Sequence, residues 1–169
     1  MTEQDALQKV QHAIGYVFEN PRLLAAALTH ASIADSRLES NERMEFFGDA
    51  ILGMVVCDEL YRRFPQCMEG ELTKIKSAVV SRRICAQVSE ELSLLDCLFI
   101  GKGMNDRSQL PQSLAAALYE ALIAAIYLDS GELETVRSFI LATMDKHITQ
   151  AAESQHQRNY KSQLQQHAQ

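Results

Sequence analysis

Four acidic side chains on two apolar stretches raise the question of chemistry. In Glu42–Cys57, every residue from Phe46 onward is apolar or glycine except Asp49. A helix apolar on all sides is expected to be buried on all sides. A carboxylate inside it costs several kcal/mol unless it is protonated, paired or metal-bound. Glu42, Glu45 and Asp49 stand at i, i+3 and i+7, which places them on one helix face. Gly53 continues that face and is expected to admit a neighbouring backbone. The second stretch, Leu114–Leu128, carries Glu120 as its only charge among six alanines. Two central helices, each with a stranded acid, are expected to bring Glu45, Asp49 and Glu120 together. Oxygen donors with no His or Cys beside them in sequence suit Mg²⁺, or Mn²⁺, better than zinc. A cation held on carboxylates in a helical core serves phosphoryl chemistry. The competing reading is a set of buried ion pairs, with Arg43, Lys74, Lys76, Arg82 and Arg83 as available bases. The residues alone leave both readings open.

The elements that must position these acids read as helices. Apolar residues Leu7, Val10, Ile14 and Val17 predict a helix over Asp5–Val17. Asn20 is an N-cap with Pro21 at the first helical position, opening Arg22–Ala31. The long segment Glu42–Phe64 is stopped by Pro65, and Glu69–Val80 and Ser81–Leu94 follow, with Ser81 as N-cap. Gly101–Gln112 reads as a loop. Ser113 caps Leu114–Asp129, and Ser130-Gly131 ends it. Glu132–Gln150 is a last amphipathic helix. No strand pattern or internal repeat is present, so the expected fold class is all-α. From about residue 151 the composition turns polar, which predicts a linker over 151–158. Helical character returns over 159–169.

Composition narrows the function classes. The chain has 169 residues, 47% of them hydrophobic, with three Pro, seven Gly and no Trp. That fits one helical domain over 1–150 with a short remainder. The net charge of −6 argues against a surface devoted to gripping phosphate. A carboxylate metal site is the exception, because its cations restore the local sign. Cys57, Cys67, Cys85 and Cys97 lack zinc or redox spacing and read as reduced core fillers, which suits a cytoplasmic setting. The opening MTEQDALQKV is too polar for a signal peptide. No apolar run reaches the roughly 18 residues of a membrane span, and Glu120 interrupts the longest, so no membrane partner is expected.

The segment NERMEFFGDAILG, Asn41–Gly53, closely resembles the signature motif of the ribonuclease III family. The likeness runs upstream through NPRLLAAALTHASI, downstream through FPQCMEGELTKIKSAVVSRR, and resumes at SLAAALYEALIAAIYLDSG. The tail NYKSQLQQHAQ is similar to the first helix of the double-stranded-RNA-binding domain that follows in bacterial members. The resemblance implies a helical endonuclease domain that cuts double-stranded RNA with Mg²⁺, leaving 5′-phosphate and 3′-hydroxyl ends, as in rRNA processing. It implies metal ligands at Glu45, Asp49 and Glu120, with Asp49 and Glu120 catalytic. Glu42 and Glu69 match supporting acidic positions, and a homodimer packed through the signature helix is implied. One position departs. The family pattern S-I-L-A-D-A-x-E-A has an aspartate where this chain has Ala117, leaving three of four expected acids. A catalytically silent, dimeric RNA-binding or ribosome-associated domain is therefore the alternative, with Ala117 as its support.

His30 reads as a structural hydrogen-bonding residue, since no nucleophile accompanies it. Arg62, Arg63, Lys74, Lys76, Arg82 and Arg83 are candidate phosphate contacts or solvated surface charges.

Overall fold

The computed structural model describes residues 2–101 and 110–167, with side chains to residue 157. Among the described residues, seven α-helices carry the fold: α1 (Glu3–Ile14), α2 (Pro21–Ala27), α3 (Glu42–Arg63), α4 (Glu69–Val79), α5 (Arg82–Glu91), α6 (Gln112–Ser130) and α7 (Leu133–His167). Short 3₁₀ turns lie at Arg37–Glu39 and Leu94–Cys97. The described residues contain no strand. A single parallel bridge joins Thr29 to Phe99, and it ties the chain after α2 to the chain before α6. The all-α expectation stands.

Capping explains several boundaries. Thr2 and Asp5 form a capping box on α1, and Gly15 ends that helix in the left-handed conformation. Asn20 caps α2 with Pro21 at its first position. The Ser81 side chain accepts from the Ile84 amide at the start of α5. Gly131, with φ of 67°, closes α6. That helix starts two residues earlier than an N-cap at Ser113 predicts, at Gln112 after Pro111.

α6 is the axis of the molecule. From Ala115 to Ile126 every residue except Glu120 is buried. α2, α3, α5 and α7 pack around it. Its small alanines let these neighbours approach, and the Tyr119 hydroxyl, fully enclosed, meets Thr143 Oγ1 of α7 at 2.7 Å. Over its full 19 residues α6 is long and apolar enough to cross a membrane by length and composition. The expectation that no run reaches such a length, based on Leu114–Leu128, does not hold for the whole helix. Its apolar surface is spent on the other helices.

Three further expectations need correction. The segment 151–158, read as a linker, is helical, because α7 runs on from Leu133 to His167. Ala151 and Ala152 pack against the core and Gln155 is buried, so the helix still has something to lie on. α3 is not buried all round. Ile51, Leu52, Val55, Val56 and Leu60 face the core, whereas Phe46 is 81% exposed, Met54 49% and Tyr61 75%. Cys57, read as a core filler, is exposed, and only Cys85 and Cys97 are buried. The loop expected over Gly101–Gln112, with Lys102 and Arg107, lies largely outside the described residues.

Candidate active site

α3 and α6 cross at Gly48. A Cβ built there would collide with the backbone carbonyl of Glu120, so the crossing requires glycine. Gly53, expected from sequence to admit a backbone, meets only the end of the Lys76 side chain at 3.8 Å. Gly53 faces Lys76 of α4, so the close approach to α6 falls at Gly48. Glu45 and Asp49 flank Gly48 at i−3 and i+1. The close crossing therefore sets Glu120 beside the turn of α3 that carries both acids.

The electrostatics follow from this placement. Glu120 is part-buried, and its carboxyl is pushed up to about 7. Burial is the main cause, followed by repulsion from Asp49 and then Glu45. Glu45, also part-buried, is raised by burial, by Glu42 and by Asp49, with Arg82 opposing. Asp49 is exposed, contrary to the expectation of an enclosed carboxylate. Among the described residues, none of the three forms a salt bridge. The ion-pair reading thus loses its expected partners. Arg82, at the start of α5, lowers both Glu45 and Glu120 but does not reach salt-bridge distance. Arg62 and Arg63 are engaged elsewhere, with Asp58 at 2.8 Å and Asp145 at 2.5 Å.

Cys85 completes the wall behind Glu120. Its thiol is pushed up to about 12 by burial and by the nearby Glu120 charge, to which it also hydrogen-bonds. It stays protonated at neutral pH, so it donates to Glu120 and offers no thiolate. The donor set at this crossing is then three carboxylates, which fits a hard divalent cation. Among the described residues no three metal-ligating groups are already drawn to one point. The acids sense one another across the crossing and stand apart.

The remaining sequence candidates fall at different distances from this point. Glu42 is exposed at the first position of α3 and acts on Glu45. Ala117 is 9% exposed, one turn before Glu120 on α6. Glu69 opens α4, accepts from Thr73 Oγ1 at 2.7 Å, and lines a groove with Cys57, Leu60 and Tyr61 at the far half of α3. Within one chain it does not join the three acids. His30 Nδ1 lies 2.9 Å from Ser32 Oγ, a local structural contact. Sequence reasoning missed Gly48 and Cys85. The signal for Gly48 was its position between Glu45 and Asp49; Cys85 left none, because a buried thiol looks like any small core residue.

Beyond Asp49, α3 presents a second surface. Phe46, Ala50, Met54, Cys57 and Tyr61 fall within a sector of roughly 80° at 100° per residue. All five are exposed. The apolar stripe adjoins the acidic sector on the same helix.

Comparison with known proteins bears on this arrangement. The Ribonuclease-III-like family matches residues 20–148. Ribonuclease 3 of Rhodopirellula baltica is 46% identical over 96% of this chain, and the aligned region is 61% of that protein's length. Ribonuclease 3 of Leptospira interrogans is 39% identical over 97% of the chain and 68% of its own length. The chain thus spans about two-thirds of these relatives. Among solved structures, the nuclease domain of ribonuclease III from Campylobacter jejuni superposes with a TM-score of 0.77 at 32% identity, covering 83% of this chain and 97% of that one. That structure describes flexibility in a region involved in dimer formation. Dicer from Giardia intestinalis, with a TM-score of 0.67 at 18% identity, covers 84% of this chain and 19% of its own and shares the fold.

Proposed function

The chain belongs to the ribonuclease III-like family, and we propose that it is a divalent-metal-dependent endonuclease that hydrolyses phosphodiester bonds of double-stranded RNA. The observation that carries this reading is the crossing at Gly48, where Glu45, Asp49 and Glu120 repel one another and form no salt bridge among the described residues. Such repulsion is relieved by a cation, and oxygen donors favour Mg²⁺, with Mn²⁺ as substitute. Glu45, Asp49 and Glu120 would hold it. When bound, the metal supplies an activated water and stabilises the leaving oxygen.

The chain's own residues do the rest. Cys85 holds the Glu120 carboxylate by its S–H, and the Gly48 contact fixes the Glu120 backbone. Asp49 is exposed and open to an approaching RNA, and Arg82, which acts on Glu45 and Glu120, would meet a phosphate there. The water oxygen adds to phosphorus as the P–O3′ bond breaks. The water gives up a proton and the 3′ oxygen gains one, so the products would carry 5′-phosphate and 3′-hydroxyl ends. Asp49 and Glu120 are the residues assigned to catalysis, with Glu42 and Glu69 in support.

The exposed stripe of α3 supports a homodimer. A contiguous run of Phe46, Met54 and Tyr61 in water is the kind of surface that marks a protein interface, and it adjoins the acids. Residues 159–169 we assign to the start of a double-stranded-RNA-binding domain, and rRNA processing in the cytoplasm to the physiological role; both assignments rest on sequence resemblance. The catalytically silent alternative draws on Ala117. Incubating the chain with fully paired RNA and Mg²⁺ decides between them: internal cleavage that disappears in Glu120→Gln supports the nuclease. Binding without cleavage at any Mg²⁺ or Mn²⁺ concentration supports the silent domain.

A further inference from the structure

A second site lies away from the acids. α4, α5 and α7 enclose a groove of about 520 Å³. Lys74 and Ser77 come from α4, Arg83 from α5, and His147, Gln150 and Ser154 from α7. The α7 residues stand at i, i+3 and i+7, so one helix face supplies all three. No Asp or Glu is among the described residues lining the groove, in a chain with 22 acidic residues against 16 basic ones. Lys74 and Arg83 are exposed and form no salt bridge among the described residues. Glu91, the acid that acts on His147, is already paired with Lys146 at 2.6 Å. Two cations are thus left without a salt-bridge partner among the described residues on one groove.

His147 is the independent observation. Its side chain is 5% exposed, and Nε2 is enclosed with no hydrogen-bond partner among the described residues. Buried polar atoms in native proteins are nearly always satisfied, and an orphan calls for a ligand, a water or an ion. Burial, with the Lys146 and Arg83 charges, holds the imidazole below its ordinary range, so at neutral pH it carries one N–H donor and one acceptor. Two free cations, hydroxyl and amide donors, and an unpaired imidazole make a complementary set for a tetrahedral oxyanion.

We propose that the groove between α4, α5 and α7 binds a phosphate group through Lys74, Arg83 and His147. Two sources share that chemistry: the backbone of RNA outside the cleavage site, which rests on the proposed nuclease function, and a free phosphate or phosphomonoester, which does not.

The test uses the full chain in EDTA, so that RNA is bound without being cut. Inorganic phosphate is titrated while the ring signals of His147 are followed by NMR, in the wild type and in Lys74→Gln/Arg83→Gln. Both substitutions are at exposed positions, and matching far-UV CD confirms folding. Affinity for a short paired RNA is then measured by anisotropy across salt concentrations. A phosphate site predicts that His147 shifts in the wild type and not in the variant. If the phosphate belongs to RNA, the variant also loses about fivefold to tenfold in RNA affinity, and its salt slope falls by about one. A His147 shift with unchanged RNA affinity assigns the site to free phosphate. No shift, with RNA affinity and slope unchanged, overturns the proposal. Cleavage of RNA by the wild type in Mg²⁺ is read separately. Its absence would remove the nuclease reading and leave the phosphate shift standing, whereas cleavage without any effect at Lys74 or Arg83 would do the reverse.

Discussion

Replacing Glu120 by Gln should make the metal-free protein more stable while removing its activity. In the folded chain the Glu120 carboxyl titrates near 7, against an ordinary value of 4.5. Between these values the folded state holds more protons than the unfolded one. Metal-free stability from this group is therefore fully present below about 4.5 and is lost as pH rises to about 7. A displacement of this size in a fully buried group is worth about 3 kcal/mol. Glu120 is only part-buried and solvent screens its neighbours, so roughly 1–2 kcal/mol is the appropriate figure. Gln keeps the shape and an acceptor for the Cys85 S–H and carries no charge to repel Asp49 and Glu45. For a domain of this size, that gain raises Tm by about 2–8 °C.

Thermal unfolding followed by CD in EDTA, at pH 8 and at pH 4.5, measures the effect. The variant should melt above the wild type at pH 8, with most of the gap gone at pH 4.5. Added Mg²⁺ should raise the wild-type Tm at pH 8 and act much less on the variant, because a cation relieves the same repulsion that Gln removes. A variant less stable than the wild type at pH 8, or a gap that ignores pH, would refute the reasoning. Glu120 would then be held by a favourable partner, and the acids would not form a repelling set that needs a cation.

Ala117→Asp places a fourth carboxylate one turn before Glu120; it should cost the metal-free protein roughly 2 kcal/mol and raise cleavage at limiting Mg²⁺, and a rate-against-Mg²⁺ curve identical to the wild type would remove Ala117 from the site. Gly48→Ala drives a methyl group into the Glu120 carbonyl, so it should destabilise by about 2 kcal/mol or more and reduce cleavage together with stability, as CD melting and a cleavage assay would record. Phe46→Glu puts a charge on the exposed α3 stripe; sedimentation at micromolar concentration should give the mass of two chains for the wild type and one for the variant, and a monomeric wild type would count against the dimer.

The helices were legible because their signals are local. Asn20-Pro21, Ser81 and Gly131 act on the residues next to them, and boundaries marked by such residues came out within a few positions. α7 was misread for a related reason. Apolar periodicity fades after residue 150, yet Ala151, Ala152, Glu153, Gln155, Gln157 and Arg158 are strong helix formers, and Ala151 and Ala152 need only small contacts to stay docked.

The candidate site divides along the same line between local and long-range information. That Asp49 and Glu120 are unusual is written in their own helices, as lone charges on apolar stretches, with Glu45 one turn before Asp49 on the same face. How they meet depends on which side of α3 faces α6. A helix apolar on every side gives no amphipathic stripe from which to read its rotation. Gly53 was expected as the point of approach, whereas Gly48 fills that role, and the difference rests on packing with Glu120, some 70 positions away in sequence, beyond what periodicity can report. The same uniform apolarity was read as complete burial, whereas half of it stands in water at Phe46, Met54 and Tyr61. An apolar helix states only that its surface must be covered. It does not say whether α6 or a second molecule covers each side, and in α3 the two answers meet at the acidic face.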